Sequence, residues 1–296
     1  MTKKESYTGP IHICEAINMS LDHIDLERVN ALGIPSGYPS LDRLTMGWGK
    51  GELIIFGGRP CVGKTALALN MARNAAVDFG IPTAYFSLEL SALELTDRLI
   101  VSETNITMEQ LRGQRKILEA DWQHMEALLT SLSKAPLYID DTPSLTIGQI
   151  KERIEDLAHK HDVSLVFVDY LHLILPDDGT DYPNREEETE AILHVLKELA
   201  LALNVTIVTI SYIRRPTRKN YTGPVLSDID AYCPTAEYEA NKIILVHRPS
   251  LCGVVDYWNE KMDRIELRLV QNKNGRTGSV VLLLDTERLK MVEWAS

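Results

Sequence analysis

The chain has 296 residues, 45% hydrophobic and 25% charged, with 42 acidic against 31 basic side chains and a formal net charge of −11. This composition matches ordinary soluble globular proteins and excludes wholesale disorder, collagen-like repeats and disulfide-rich scaffolds, while the acidity excludes attachment to nucleic acid or membrane through bulk charge. Cys14, Cys61, Cys233 and Cys252 show no C-x-x-C spacing, Met1–Pro10 is polar, and no apolar run reaches the roughly 18 residues that span a bilayer, so a cytoplasmic protein without zinc, disulfides or membrane insertion is expected.

Ile13, Ile17, Leu21 and Ile24 recur every three or four positions, which predicts a helix over 11–31 before Gly33, Pro35, Ser36 and Gly37 break the pattern. From Glu52 onward, short apolar strands alternate with longer helical segments. The strands are Leu53–Phe56, Ala84–Ser87, Leu137–Ile139, Leu165–Val168, Thr206–Ile210 and Ile243–Val246; helices begin at Lys64 and Ala92 and run near 147–159 and 188–203. This βαβ rhythm predicts a largely parallel sheet with helices on both faces. Ile265–Val270 and Ser279–Leu284 then flank Asn274 and Gly275, a dipeptide suited to a tight turn, which predicts an antiparallel hairpin closing the sheet. The acids Asp177, Asp178, Asp181, Glu186, Glu187, Glu188 and Glu190 read as a solvated loop and helix start, since acids suit a helix N-terminus.

Directly after Leu53–Phe56 comes Gly58-Arg59-Pro60-Cys61-Val62-Gly63-Lys64-Thr65, a complete G-x-x-x-x-G-K-[ST] phosphate loop opening a helix. Glycines let backbone N–H groups wrap a triphosphate, the helix presents its positive end, and Lys64 neutralises β- and γ-phosphate charge while Thr65 holds Mg²⁺. ATP and Mg²⁺ are therefore the expected ligands. The apolar strand Leu165–Val168 ends in Asp169, a position from which a carboxylate reaches the water shell of magnesium. Alone that signal is weak, because Asp commonly starts turns; beside a phosphate loop the metal role becomes the expectation. Glu89 follows Ala84–Ser87 at the ligand-facing edge of the sheet, where a carboxylate can orient and deprotonate water, although spacing alone fits a helix-start acid ahead of Ser91 and Ala92 equally well.

A further set of segments is more specific than any general nucleotide-binding pattern: Gly33-Ile34-Pro35-Ser36-Gly37 with Leu41-Asp42, Arg59 through Ala72, Phe86-Ser87-Leu88-Glu89, Ile139-Asp140-Asp141-Thr142-Pro143, Val168-Asp169-Tyr170-Leu171, Asn184-Arg185, Leu226-Ser227-Asp228, and Asn274-Gly275 with Thr277-Gly278. Over roughly residues 31–294 the chain thereby resembles the C-terminal, RecA-like motor domain of DnaB-type replicative helicases. The resemblance implies an N-terminal linker-helix segment (1–32) and a RecA-like P-loop ATPase domain (33–296) of α/β class. It also implies Lys64 and Thr65 on phosphate and metal, Glu89 as catalytic base and Asp169 as the magnesium-shell acid. Members of the family work as six-membered rings on single-stranded DNA with ATP between neighbours, each linker helix packing on the next subunit. The segment 11–31 stands at that helix's position, and a helix folded back on its own domain is the alternative. About 30 residues precede the motor segment in this sequence, so the expectation is a stand-alone motor without the family's N-terminal domain, as in an accessory, phage-like or mobile-element relative.

Departures fall where the family couples hydrolysis to DNA. A Lys and an Arg that reach the neighbour's ATP are replaced by Gln271 and Lys273, which keeps one positive charge and loses the forked geometry of an arginine finger, so slow hydrolysis is expected. The family's serine and γ-phosphate-sensing glutamine are here Ser211 and Tyr212. The DNA-holding loop, normally an arginine, an acid and a glycine, carries Asp230, Ala231 and Cys233, stiffened by Pro234; an acid there weakens phosphate contact. Arg214, Arg215, Arg218 and Lys219 beside Tyr212 and Tyr221 offer either a compensating nucleic-acid patch or a solvated loop. The leading expectation is a ring-forming ATP-dependent helicase or translocase with Lys273 completing a neighbour's site. The alternative is a nucleotide-binding regulatory or scaffold protein that hardly turns over, against which intact Glu89 speaks; a recombinase or clock-type RecA relative ranks last.

Overall fold

Leu53–Gly58 forms a strand whose six residues are all buried, as expected of a parallel strand covered on both faces. Its alternation explains the layers: Ile54 and Phe56 face one hydrophobic core and Leu53 and Ile55 face the other. A computed structural model describes residues 12–13, 33–104, 106–214, 223–229, 233–252 and 262–294. The helix predicted over 11–31 therefore lies outside the described residues, save for 12 and 13.

The described elements run α1 (Pro39–Thr45), β1 (Leu53–Gly58), α2 (Lys64–Arg73), β2 (Thr83–Ser87), α3 (Ala92–Glu103), α4 (Met108–Leu111), α5 (Glu119–Lys134), β3 (Leu137–Asp140), α6 (Ile147–His161), β4 (Leu165–Asp169), α7 (Arg185–Leu203), β5 (Thr206–Tyr212), α8 (Ala236–Glu239), β6 (Lys242–His247), β7 (Met262–Asn272), β8 (Gly278–Asp285) and β9 (Lys290–Glu293). They build a nine-stranded sheet of order β3-β2-β4-β5-β1-β6-β7-β8-β9. Pairing is parallel from β3 to β6 and antiparallel from β6 to β9. The mainly parallel α/β sheet with a C-terminal antiparallel portion is thus the architecture expected from the alternating pattern. Among the described residues no helix is long and apolar enough to cross a membrane.

Three local results refine the sequence reading. The acidic stretch is a helix start: Asn184 caps α7 by accepting from the Glu187 backbone N–H at 2.9 Å, and Glu186, Glu187 and Glu188 occupy the first turn. The β7–β8 connection is a loop of residues 273–277 in place of a tight Asn-Gly turn, and neither Asn274 nor Gly275 has positive φ. The reason is tertiary, since the Asn274 side chain donates to Glu52 Oε1 at 2.7 Å and holds the loop against the body of the domain. Strand β9 escaped the sequence pattern; its Met291 is buried and its backbone N–H donates to Asn70 Oδ1 of α2 at 3.1 Å.

Candidate functional site

The phosphate loop bridges the end of β1 and the start of α2 with Cys61 and Gly63 at φ 65° and 97°, a left-handed path that curls the backbone back on itself. Gly58 lacks a side chain for a packing reason: a Cβ there would lie 2.9 Å from Val62 Cγ2 and 3.0 Å from Lys64 Cδ, so the lysine could not fold over it. Lys64 takes that path, buried to 8% exposure, and its Nζ donates to the carbonyls of Gly58 and Arg59, both at 2.9 Å. Burial pushes the Lys64 pKa down to about 8, opposed by the charges of Asp169 and Glu89. Among the described residues this buried cation is bonded only to backbone carbonyls and has no direct anionic partner, which is the electrostatic state that favours a bound anion.

Carboxylates converge from the neighbouring strands. Asp169, at the end of β4, is buried; it accepts from Tyr85 Oη at 2.9 Å and from the Thr65 hydroxyl. Burial raises its pKa, and those two hydrogen bonds oppose the rise. Glu89, just past β2, is exposed and lines the same pocket of about 330 Å³ as Lys64, Thr65, Asp169 and Tyr212. The paired Thr65 and Asp169 present oxygens only, and among the described residues no cluster of three His, Cys, Asp or Glu could hold a metal alone. That donor set fits Mg²⁺, a hard cation that takes one or two protein oxygens and completes its shell with phosphate and water.

The remaining predicted residues separate into two groups. Gln271 and Lys273 stand at the opposite end of the sheet: Gln271 Nε2 donates to the carbonyls of Glu237 and Ala240 at 2.9 Å each, and Lys273 Nζ donates to the Tyr238 carbonyl. The Lys273 backbone abuts Asn241, which pairs with Leu53 at the start of β1, whereas Lys64 lies over Gly58 at its finish. Five residues of strand separate the two ends, roughly 16 Å, so one copy of the chain cannot bring both lysines to one phosphate group. Arg214 is exposed and its backbone N–H donates to the Asp228 carbonyl at 2.7 Å; Arg215, Arg218, Lys219, Asp230 and Ala231 lie outside the described residues.

Sequence reasoning missed Tyr85, the aromatic neighbours of Tyr212, and the two arginines lining the pocket, Arg98 of α3 and Arg248. Arg248 was within reach of it, because it directly follows β6, a neighbour of β1, and ligands gather at the carboxyl ends of parallel strands. Arg98 carried no local signal.

Comparison with known proteins identifies the family and the fold. The model of the DnaB-like helicase C terminal domain matches residues 33–293. The chain belongs to that family. Among relatives of the DnaB-like family, "Replicative DNA helicase DnaB" of Geobacillus stearothermophilus is 36% identical over 264 residues, covering 88% of this chain and 56% of that protein. "Replicative DNA helicase DnaC" of Bacillus subtilis is 32% identical over 277 residues, covering 92% of this chain and 59% of that one. The chain thus spans rather more than half the length of the curated relatives it matches. A solved ATPase domain superposes with TM-score 0.85 at 26% identity over 97% of this chain and 100% of its own length. A DnaB-like replicative helicase, studied for its interactions with primase, superposes with TM-score 0.83 at 25% identity, covering 99% of this chain and 68% of that chain.

Proposed function

We propose that this DnaB-like chain is an ATP-dependent motor that translocates on or unwinds DNA, with residues 33–296 as the motor domain and 1–32 as its linker segment. The observation that carries the reading is the convergence of Lys64, the Thr65–Asp169 pair and Glu89 on one pocket at the carboxyl ends of β1, β2 and β4. In this reading the phosphate loop Gly58–Gly63 wraps the phosphates with the backbone N–H groups of its residues other than Pro60, which has none, and Lys64 neutralises them. Thr65 and Asp169 hold Mg²⁺, which supplies charge neutralisation at the transferring phosphoryl group. Glu89, solvent-accessible on the pocket wall, orients the attacking water and accepts its proton.

Lys273 serves the nucleotide of a neighbouring copy, because its distance from Lys64 within one chain leaves it no role in its own pocket. That geometry favours a closed ring, which the family resemblance makes six-membered. Lys273 keeps the charge of a finger without bidentate reach, which favours slow turnover. Single-stranded DNA is the track, met by the basic stretch Arg214, Arg215, Arg218 and Lys219 as the local patch that an acidic protein needs.

Steady-state ATP hydrolysis measured with and without single-stranded DNA tests the proposal. DNA is expected to stimulate turnover and Lys64→Ala to abolish it. Negligible hydrolysis at saturating ATP by the assembled protein would replace the motor with a nucleotide-binding scaffold.

A further inference from the structure

The Lys64 ammonium has three N–H donors, two of them spent on the Gly58 and Arg59 carbonyls. Its remaining side is covered by the ring of Tyr212, whose centroid lies 4.7 Å from Nζ. That ring is braced on two sides. Tyr170 meets it edge-on with centroids 4.8 Å apart at 69°. His172 stacks on it with centroids 6.0 Å apart and planes only 8° from parallel. The backbone beneath is tied as well: His172 Nε2 and Ser211 Oγ are 3.2 Å apart, and Ser211 Oγ donates to the Tyr212 carbonyl at 3.0 Å. Burial pushes the His172 pKa down to about 4, so near neutrality it stands as an uncharged brace that adds no positive charge beside Lys64.

We propose that Tyr212, clamped between Tyr170 and His172, is a positioning residue that holds the Lys64 ammonium over the phosphate loop and away from the carboxylates of Asp169 and Glu89. The physical need is plain: a desolvated lysine beside two acids is drawn toward them, and a lysine paired with an acid is lost to the phosphate. The negative face of an aromatic ring attracts the cation without competing for its hydrogen bonds and blocks the swing. The ring face carries this task, because the ammonium stands over it. The inference rests on the nucleotide-site reading above and says how that site keeps its lysine ready.

The test uses the full chain and calorimetric binding of magnesium with ADP and with a non-hydrolysable ATP analogue, after melting curves confirm folding. Tyr212→Leu, which removes the ring at similar bulk, is expected to weaken analogue binding about tenfold and ADP binding about threefold or less, while Tyr212→Phe stays within about twofold of the parent for both. In turnover the Leu variant raises KM more than it lowers kcat. His172→Ala, which removes one brace and leaves the ring, is expected to weaken analogue binding about threefold, and it carries the test if Tyr212→Leu does not fold. Unchanged analogue affinity in the Leu variant, or in His172→Ala where the Leu variant is lost, overturns the proposal; so does a Phe variant as weak as Leu, which would move the role to the hydroxyl. Lys64→Ala separates the two layers: analogue binding that survives it brings down the nucleotide site itself, whereas binding lost there with Tyr212 silent removes only the tyrosine.

Discussion

Two buried lysines at opposite ends of the central strands make an instructive pair. Lys242 opens β6 beside the start of β1, is 2% exposed, and is in direct contact with Glu52. The carboxylate of Glu52 accepts further bonds from the Gly49 N–H at 2.8 Å and from Asn274 Nδ2 at 2.7 Å, so that end of the sheet is electrostatically closed. Lys64, 8% exposed at the other end, has among the described residues only carbonyls and an aromatic ring directly against it. Equal burial therefore gives opposite outcomes. A lysine with a matched acid is scaffold, and a lysine whose acids are held at a distance is a site. The closed end also does a job for the open one, because Asn274 ties the loop that carries Lys273, the residue proposed to reach a neighbour's phosphates.

The comparison can be sharpened from its strongest contrast downward. At the open end, Glu89→Gln keeps the shape of the pocket and removes its base; ATP turnover is expected to fall by roughly 10²–10⁴ with nucleotide affinity largely retained, as read by paired hydrolysis and binding assays. Retained turnover would take Glu89 out of the chemistry. At the closed end, Glu52→Ala strands the Lys242 ammonium in a buried position and is expected to cost about 3–5 kcal/mol of stability, visible in denaturant unfolding. The matching change at Lys64 costs no such penalty, since Lys64→Ala removes a buried charge that lacks an anionic partner; equal destabilisation of the two variants would erase the distinction between scaffold and site.

The smallest effect concerns pH. Lys64 has a folded-state pKa of about 8, below its ordinary value of 10.5, because burial disfavours the charged form. The folded protein therefore binds fewer protons than the unfolded chain between those two values. The cost of burying the charge is present in full below about pH 8 and is relieved as pH rises toward 10.5. Nucleotide binding runs the other way, since the phosphates need the ammonium. Affinity is expected to fall by about tenfold between pH 7 and pH 9, measured with a non-hydrolysable analogue. A flat profile across that range would mean that the lysine is not the phosphate-neutralising group.

What the sequence by itself determined is local and periodic. The phosphate loop announced its own strand and helix because the left-handed turns and the returning lysine need small residues at fixed spacing, and Gly58 and Gly63 stand where that spacing demands. The parallel sheet was legible because strands buried on both faces must be apolar throughout, as Leu53–Phe56 and Leu165–Val168 are. Asp169 and Glu89 could be nominated as residues following such strands, although nothing local set Glu89 apart from an ordinary helix-start acid.

Tertiary structure decided everything that depends on which strands become neighbours. Only the order β2-β4-β5-β1 brings Glu89, Asp169, Tyr212 and Lys64 to a single rim. The same order stacks Tyr212 against residues that lie some forty positions earlier in the chain and sends Lys273 to the far end. The Asn274–Gly275 loop shows the limit most directly, for its residues permit a tight turn and a buried carboxylate across the sheet pulls them into a wider one. Spacing along a chain records constraints that act within a few residues. Side chains that meet across strands answer to the packing of the sheet, which no local pattern encodes.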